Sequence, residues 1–154
     1  VQKQNSENCL LISVTFVPDF MDCDFTFLAN AKRYATTFNP MKKEVRMIYT
    51  SNIRANQEQS GYSVNYVSLL NDVDIIRDNS ALMALNLLQK LSPRKVYLAG
   101  MDGYSMKKGN YSQARLTLIQ DRDYVLEMNK AIKHRISEIG KVMDIEFLTP
   151  SLYE

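Results

Sequence analysis

Apolar and polar positions along this chain switch between two spacings, and the switching predicts a mixed α/β protein. Residues 9–16, CLLISVTF, form a β-branched and aliphatic run of strand length, ended by Pro18 and Asp19. Residues 24–28, DFTFL, predict a second strand with Phe25 and Phe27 on one side. Residues 30–37 then read as a short helix with Asn30 as its N-cap, broken at Asn39-Pro40. A third strand over residues 44–50, EVRMIYT, runs into the polar loop SNIRANQEQSG. Residues 62–67, YSVNYV, alternate like a strand with one wet face, as at a sheet edge. Residues 69–77 fit neither spacing.

The second half carries the clearest pattern. Asp78, Asn79 and Ser80 all suit a helix N-terminus. Ala81, Ala84, Leu85, Leu88 and Leu91 follow at spacings of three and four, the face a helix buries, and Ser92-Pro93 ends the run. Residues 95–99, KVYLA, predict a strand whose end is a turn at Asp102 bracketed by Gly100 and Gly103. After the polar loop MKKGNYSQ, residues 119–142 predict a long amphipathic helix with Val125, Met128, Ile132, Ile136 and Ile139 as its seam. Residues 144–148, DIEFL, give a last strand, stopped by Thr149-Pro150.

Strands alternating with helices imply parallel pairing through right-handed crossovers. Strands this continuously apolar imply cover on both faces. The expectation is one domain, a three-layer α/β/α sandwich of Rossmann-like type with a mostly parallel sheet of five or six strands.

Composition narrows the class. With 154 residues, 45% hydrophobic and 23% charged, the chain has the make-up of a soluble globular domain able to bury a core. A net charge of +2, from 19 basic and 17 acidic residues without blocks, gives no electrostatic case for a nucleic-acid or membrane partner. Two cysteines, Cys9 and Cys23, lie in apolar segments and read as reduced, buried thiols. No apolar run approaches the ~18 residues a bilayer span needs, and VQKQNSEN is no signal peptide, so the cytoplasm is expected. The missing initiator methionine and the early first strand suggest a fragment of a longer polypeptide with a further N-terminal part.

Open α/β sheets bind ligands beyond the carboxyl ends of their strands, which makes Asp102 the first candidate. Its carboxylate would bind a ribose or sugar hydroxyl, orient a metal or act as a base; alternatively it ties its own loop as an Asx-turn. Asn30 would read a base or sugar edge, or simply cap its helix. Ser80 is placed to meet a phosphate at a helix start, or to act as an N-cap. Ser51 and Asn52, after Thr50, offer hydroxyl and amide groups on the same edge. Tyr104, Asn110 and Tyr111 would form a lid or stacking wall, and Lys32 and Arg33 would neutralise an anion or stand as solvated charges. His134, the single histidine, sits mid-helix between Lys133 and Arg135 and makes a poor general base. No catalytic residue is assigned. Metal-ligand spacing, glycine-rich phosphate loops and a serine nucleophile elbow are all missing from the sequence, so no metal or cofactor is expected in this domain.

DFTFLANAKRY at residues 24–34, TSN at 50–52 and SALMALNLLQKLSPRKVYLAGMDGY at 80–104 resemble a bacterial family. It is the C-terminal domain appended to hydroxymethylglutaryl-CoA-lyase-like aldolases, often labelled 4-hydroxy-2-oxovalerate aldolase. More remotely, the order of elements is similar to a Rossmann-like group of CMP-sialic-acid-dependent sialyltransferases, motility accessory factors and an archaeal pterin diphosphokinase. In that group a glycine-serine loop, an Asn and an Asp surround a nucleotide. Asn30 and Asp102 match the last two by position and Ser80 a helix start near the phosphates, whereas the glycine-serine loop has no counterpart here. The resemblance implies an accessory domain binding a small molecule or nucleotide-type ligand. Carbon–carbon cleavage and its divalent metal would then belong to an N-terminal catalytic barrel. Two other readings stand beside it: a glycosyl- or nucleotidyl-transferase-like catalytic domain, and a structural or oligomerisation module built on the long helix.

Overall fold

Periods of two and of three-to-four do become strands and helices. The computed structural model describes residues 9–18, 21–37, 46–55, 61–105 and 121–154. They form a mixed α/β protein of Rossmann-like character in which every described strand pairing is parallel. Its contacts group into two compact units, Val1–Leu70 and Asn71–Glu154.

In the first unit, β1 (Ile12–Val14), β2 (Phe25–Leu28), β3 (Arg46–Thr50) and β4 (Gly61–Val64) form one sheet in the order β1-β2-β3-β4. The helix α1 (Ala31–Thr37) lies between β2 and β3 in sequence. Pairing of Thr26 with Met47 and of Leu28 with Tyr49 puts these four side chains on one face. Leu28, Met47, Tyr34 of α1 and Ile53 form the core there, with Val17, Tyr49 and Ala55 packed against it. Burying Leu28 and Met47, at 0% and 2% exposure, stabilises by about 1.5–3 kcal/mol each.

The expected edge strand is found: β4 closes the sheet, with Gly61, Tyr62 and Ser63 exposed. The opposite edge is β1, which is half-buried throughout instead of covered on both faces. Immediately after it, Thr15 adopts φ +73°, a left-handed conformation that costs a β-branched residue about 1–2 kcal/mol. It is held there by its N–H, which donates to Phe27 O at 3.0 Å. The Ser13 hydroxyl donates to Phe16 O across the same bend.

In the second unit, α2 (Ser80–Leu91), β5 (Val96–Leu98), α3 (Arg122–Gly140) and β6 (Ile145–Phe147) follow a short 3-10 turn at Asp74–Ile76. The stretch that fitted neither spacing thus holds this turn and the end of another at Val67–Leu69. Asn79 caps α2, accepting from the N–H groups of Ala81 and Leu82 at 3.1 Å. Ser80 is therefore its first helical residue, not its cap. Asp121 caps α3 by accepting from Tyr124 N–H at 2.9 Å, so this helix starts later than the pattern suggested.

All five seam residues of α3 are buried. Met128, Ile132, Ile136 and Ile139 meet Leu82 and Leu85 of α2 and Val96 of β5, with Leu98, Ile145 and Phe147 packed against this core. The parallel pair β5–β6 buries only that face. Tyr97 is 50% exposed, and Lys95 forms ion pairs with Glu146 at 2.7 Å and Asp144 at 3.6 Å on the wet side. The expected cover on both faces thus does not extend to β4, β5 and β6, whose alternate positions carry polar groups and Tyr side chains that water accepts. The six described strands divide between a four-stranded and a two-stranded sheet.

Both cysteines are free, yet neither is buried as their apolar neighbours suggested. Cys9 is exposed because it precedes β1 by three residues, and Cys23 is half-buried with its Sγ 3.5 Å from Thr26 Oγ1. A polar chain runs through the second unit's interior. Asn71 donates to Ile76 O and Arg77 O, Asn86 donates to Asn71 Oδ1, and Arg135 donates to Asn86 Oδ1 at 2.7 Å. Arg135 Nε is buried without a hydrogen-bond partner among the described residues. Among those residues no helix is long and apolar enough to cross a membrane.

Candidate functional site

At the carboxyl ends of β5 and β6 the chain turns twice, and the turns meet. Gly100 (φ +75°) and Gly103 (φ +101°) take left-handed conformations that glycine adopts without cost, which swings Asp102 out to solvent. Gly100 N–H donates to Thr149 Oγ1 at 3.0 Å, and that hydroxyl donates to Asp102 Oδ1 at 3.4 Å. Leu152 N–H donates to Asp102 O at 3.0 Å, and Ser151 Oγ donates to Met101 O at 2.6 Å. Between the two turns lies an open depression of about 600 Å³ lined by Gly100, Asp102, Thr149, Pro150, Ser151 and Leu152.

The Asx-turn reading of Asp102 is corrected by this geometry. Such a turn uses the backbone N–H two residues on, and Tyr104 N–H instead donates to Asn129 Oδ1 at 3.0 Å. Asn129 Nδ2 in turn donates to Tyr104 O at 2.8 Å, and Tyr153 OH donates to Asn129 Oδ1 at 2.8 Å. Tyr153 is buried, and burial pushes its phenol up to about 12 against a smaller opposing pull from a hydrogen bond with the Tyr104 backbone. With its loop anchored by Asn129, the Asp102 carboxylate has one hydrogen-bond partner among the described residues, the weakly held Thr149 hydroxyl. Asp102 is one of the residues that line the depression. An acceptor-only group in that position suits hydroxyl or amino donors of a ligand.

Tyr104 is not among the residues lining the depression. Its side chain packs against the core of the second unit, and Asn110 and Tyr111 lie outside the described residues. Ser80 is half-buried at the start of α2 and is not among the residues lining the depression.

The other candidates gather on the first unit, at the carboxyl ends of β2 and β3. Asn30 is the N-cap the sequence allowed, its Oδ1 accepting from Lys32 N–H at 2.9 Å and Arg33 N–H at 3.1 Å. Buried Thr50 donates to Asn52 Oδ1 at 2.6 Å, and Asn52 Nδ2 donates to Ala29 O at 3.3 Å. Ser51 Oγ accepts from Tyr66 N–H at 3.1 Å. These polar groups mainly stitch one strand end to the next.

Sequence reasoning missed Thr149, Ser151, Asn129 and Tyr153. The signal for the first two was present, because Thr149-Pro150 follows a strand just as Asp102 does. His134 is exposed on α3, and the described residues hold no group of three or more His, Cys, Asp or Glu gathered as metal ligands. The fold and site together define a Rossmann-like α/β protein with a carboxylate at a strand-end depression. Comparison with protein-family models, curated proteins and solved structures yields no match.

Proposed function

We propose that this chain is an accessory, ligand-binding domain of a cytoplasmic lyase-like enzyme and that Asp102 receives a small polar ligand of nucleotide or nucleotide-sugar type. The observation that carries the reading is the Asp102 carboxylate, released from its own loop and set beside a depression at a strand's carboxyl end. Sugar hydroxyls would donate to it, while Pro150 and Leu152 offer apolar contact to a ring. The likeness of residues 24–34, 50–52 and 80–104 to the domain carried by hydroxymethylglutaryl-CoA-lyase-like aldolases supports the accessory role. A catalytic barrel of about 250 residues, with its divalent metal, would lie elsewhere in such an enzyme.

Thermal unfolding against a panel of nucleotides and nucleotide sugars tests this. Stabilisation of about 2.7 kcal/mol is expected at a hundredfold excess over Kd, and Asp102→Ala removes it. A panel without any response, or an equal response from Asp102→Ala, sinks the reading. The transferase alternative uses the same carboxylate and differs in outcome: there, Asp102→Asn abolishes turnover of the longer polypeptide instead of ligand-dependent stabilisation alone.

A further inference from the structure

We infer that docking of the segment Thr149–Tyr153 assembles the Asp102 site, with Asn129 of α3 as the positioning residue that fixes both halves. The inference rests on the depression being a ligand site, and adds to that reading how the site is made and unmade. Four of the six lining residues, Thr149, Pro150, Ser151 and Leu152, come from this one segment, so its departure removes most of the wall.

The segment is held chiefly by polar contacts to the Asp102 loop: Gly100 N–H to Thr149, Thr149 to Asp102, Ser151 to Met101 O, and Leu152 N–H to Asp102 O. Its apolar anchor is Tyr153, 5% exposed, while Leu152 remains 57% exposed. Leu152 nonetheless lies against Gly103, where an added Cβ would sit 2.7 Å from Leu152 Cδ1 and 2.9 Å from its Cβ. Glycine at 103 therefore provides the space the segment occupies.

Asn129 joins the two sides. It accepts from Tyr104 N–H on the loop and from Tyr153 OH on the segment, and donates back to Tyr104 O. A stretch with several hydrogen bonds near solvent and one buried side chain opens at lower free energy than the helical core. Any ligand spanning Asp102 and Thr149 then favours the docked form, and docking favours the ligand by the same factor.

Amide hydrogen exchange on the full chain without ligand reads this directly. In Asn129→Ala, peptides covering residues 100–105 and 149–154 are expected to exchange about tenfold faster together, while those of α2 keep their wild-type rates. Gly103→Ala, which displaces Leu152 and at φ +101° also strains the loop itself, is expected to do the same. Tyr153→Phe removes only the bond that ties the segment to Asn129 and leaves both Tyr104 bonds in place, so it is expected to loosen the two peptides less than Asn129→Ala does. The inference is overturned if the two peptides respond independently, if α2 loosens alongside them, or if Tyr153→Phe leaves both peptides at wild-type rates. Because no ligand enters the experiment, its result is separate from that of the thermal panel.

Discussion

Thr15 shows how much a single backbone angle can say that side-chain chemistry does not. Its φ of +73° puts a β-branched residue where asparagine or glycine is at ease. Thr15→Asn is expected to raise stability by about 1 kcal/mol in denaturant titrations, the relief of the left-handed penalty. A loss instead would mean that the hydroxyl or methyl contributes more than the strain costs. Nothing in the string CLLISVTF signals this, since threonine there extends the strand pattern. Asn79 against Ser80 was equally undecidable, because three adjacent residues could each cap α2 and only the position of the first helical turn selects among them. The turn that carries Asp102 was legible because glycine on both sides of a carboxylate after an apolar run reports a turn at a strand end.

Elements with a long apolar repeat were read almost whole. Val125, Met128, Ile132, Ile136 and Ile139 are all buried, as their spacing predicts, and the last four pack with Leu82, Leu85 and Val96. The Asn71–Asn86–Arg135 chain was not legible, since a polar residue on an apolar helix has no preferred partner until helices pack. It yields a test at this scale. Asn86→Leu leaves Asn71 Oδ1 and Arg135 Nη2 without the bonds they now make, and is expected to cost about 3 kcal/mol in equilibrium unfolding. Arg135→Leu added to it is expected to recover part of that loss, by removing a half-buried cation rather than stranding it. A double variant weaker than the single one would place the value of Arg135 elsewhere.

For the whole molecule, class came from composition and alternation, whereas sheet membership did not. Parallel partners are distant in sequence and each strand here is three to five residues long, too short for its pattern to name a neighbour. The site suffered the same limit: Thr149 and Ser151 reach Asp102 and Met101 from 47 and 50 positions away. The buried phenol of Tyr153 provides a global readout. Its folded-state value of about 12 lies above the usual value near 10, so the neutral form is the one the fold favours. Its contribution is complete below about pH 10 and disappears as pH climbs toward 12. Unfolding free energy is expected to fall across that interval in the wild type and to fall less in Tyr153→Phe. Parallel pH curves for the two proteins would mean the phenol titrates as if in water.

The ion pair of Lys95 with Glu146 carries a consequence unrelated to stability. Sliding β6 one residue past β5 would turn Ile145 and Phe147 toward water, and it would also carry Glu146 to the far side of the sheet from Lys95. The charges therefore act as an alignment mark on a two-strand ladder too short to find its own rung by greasiness alone.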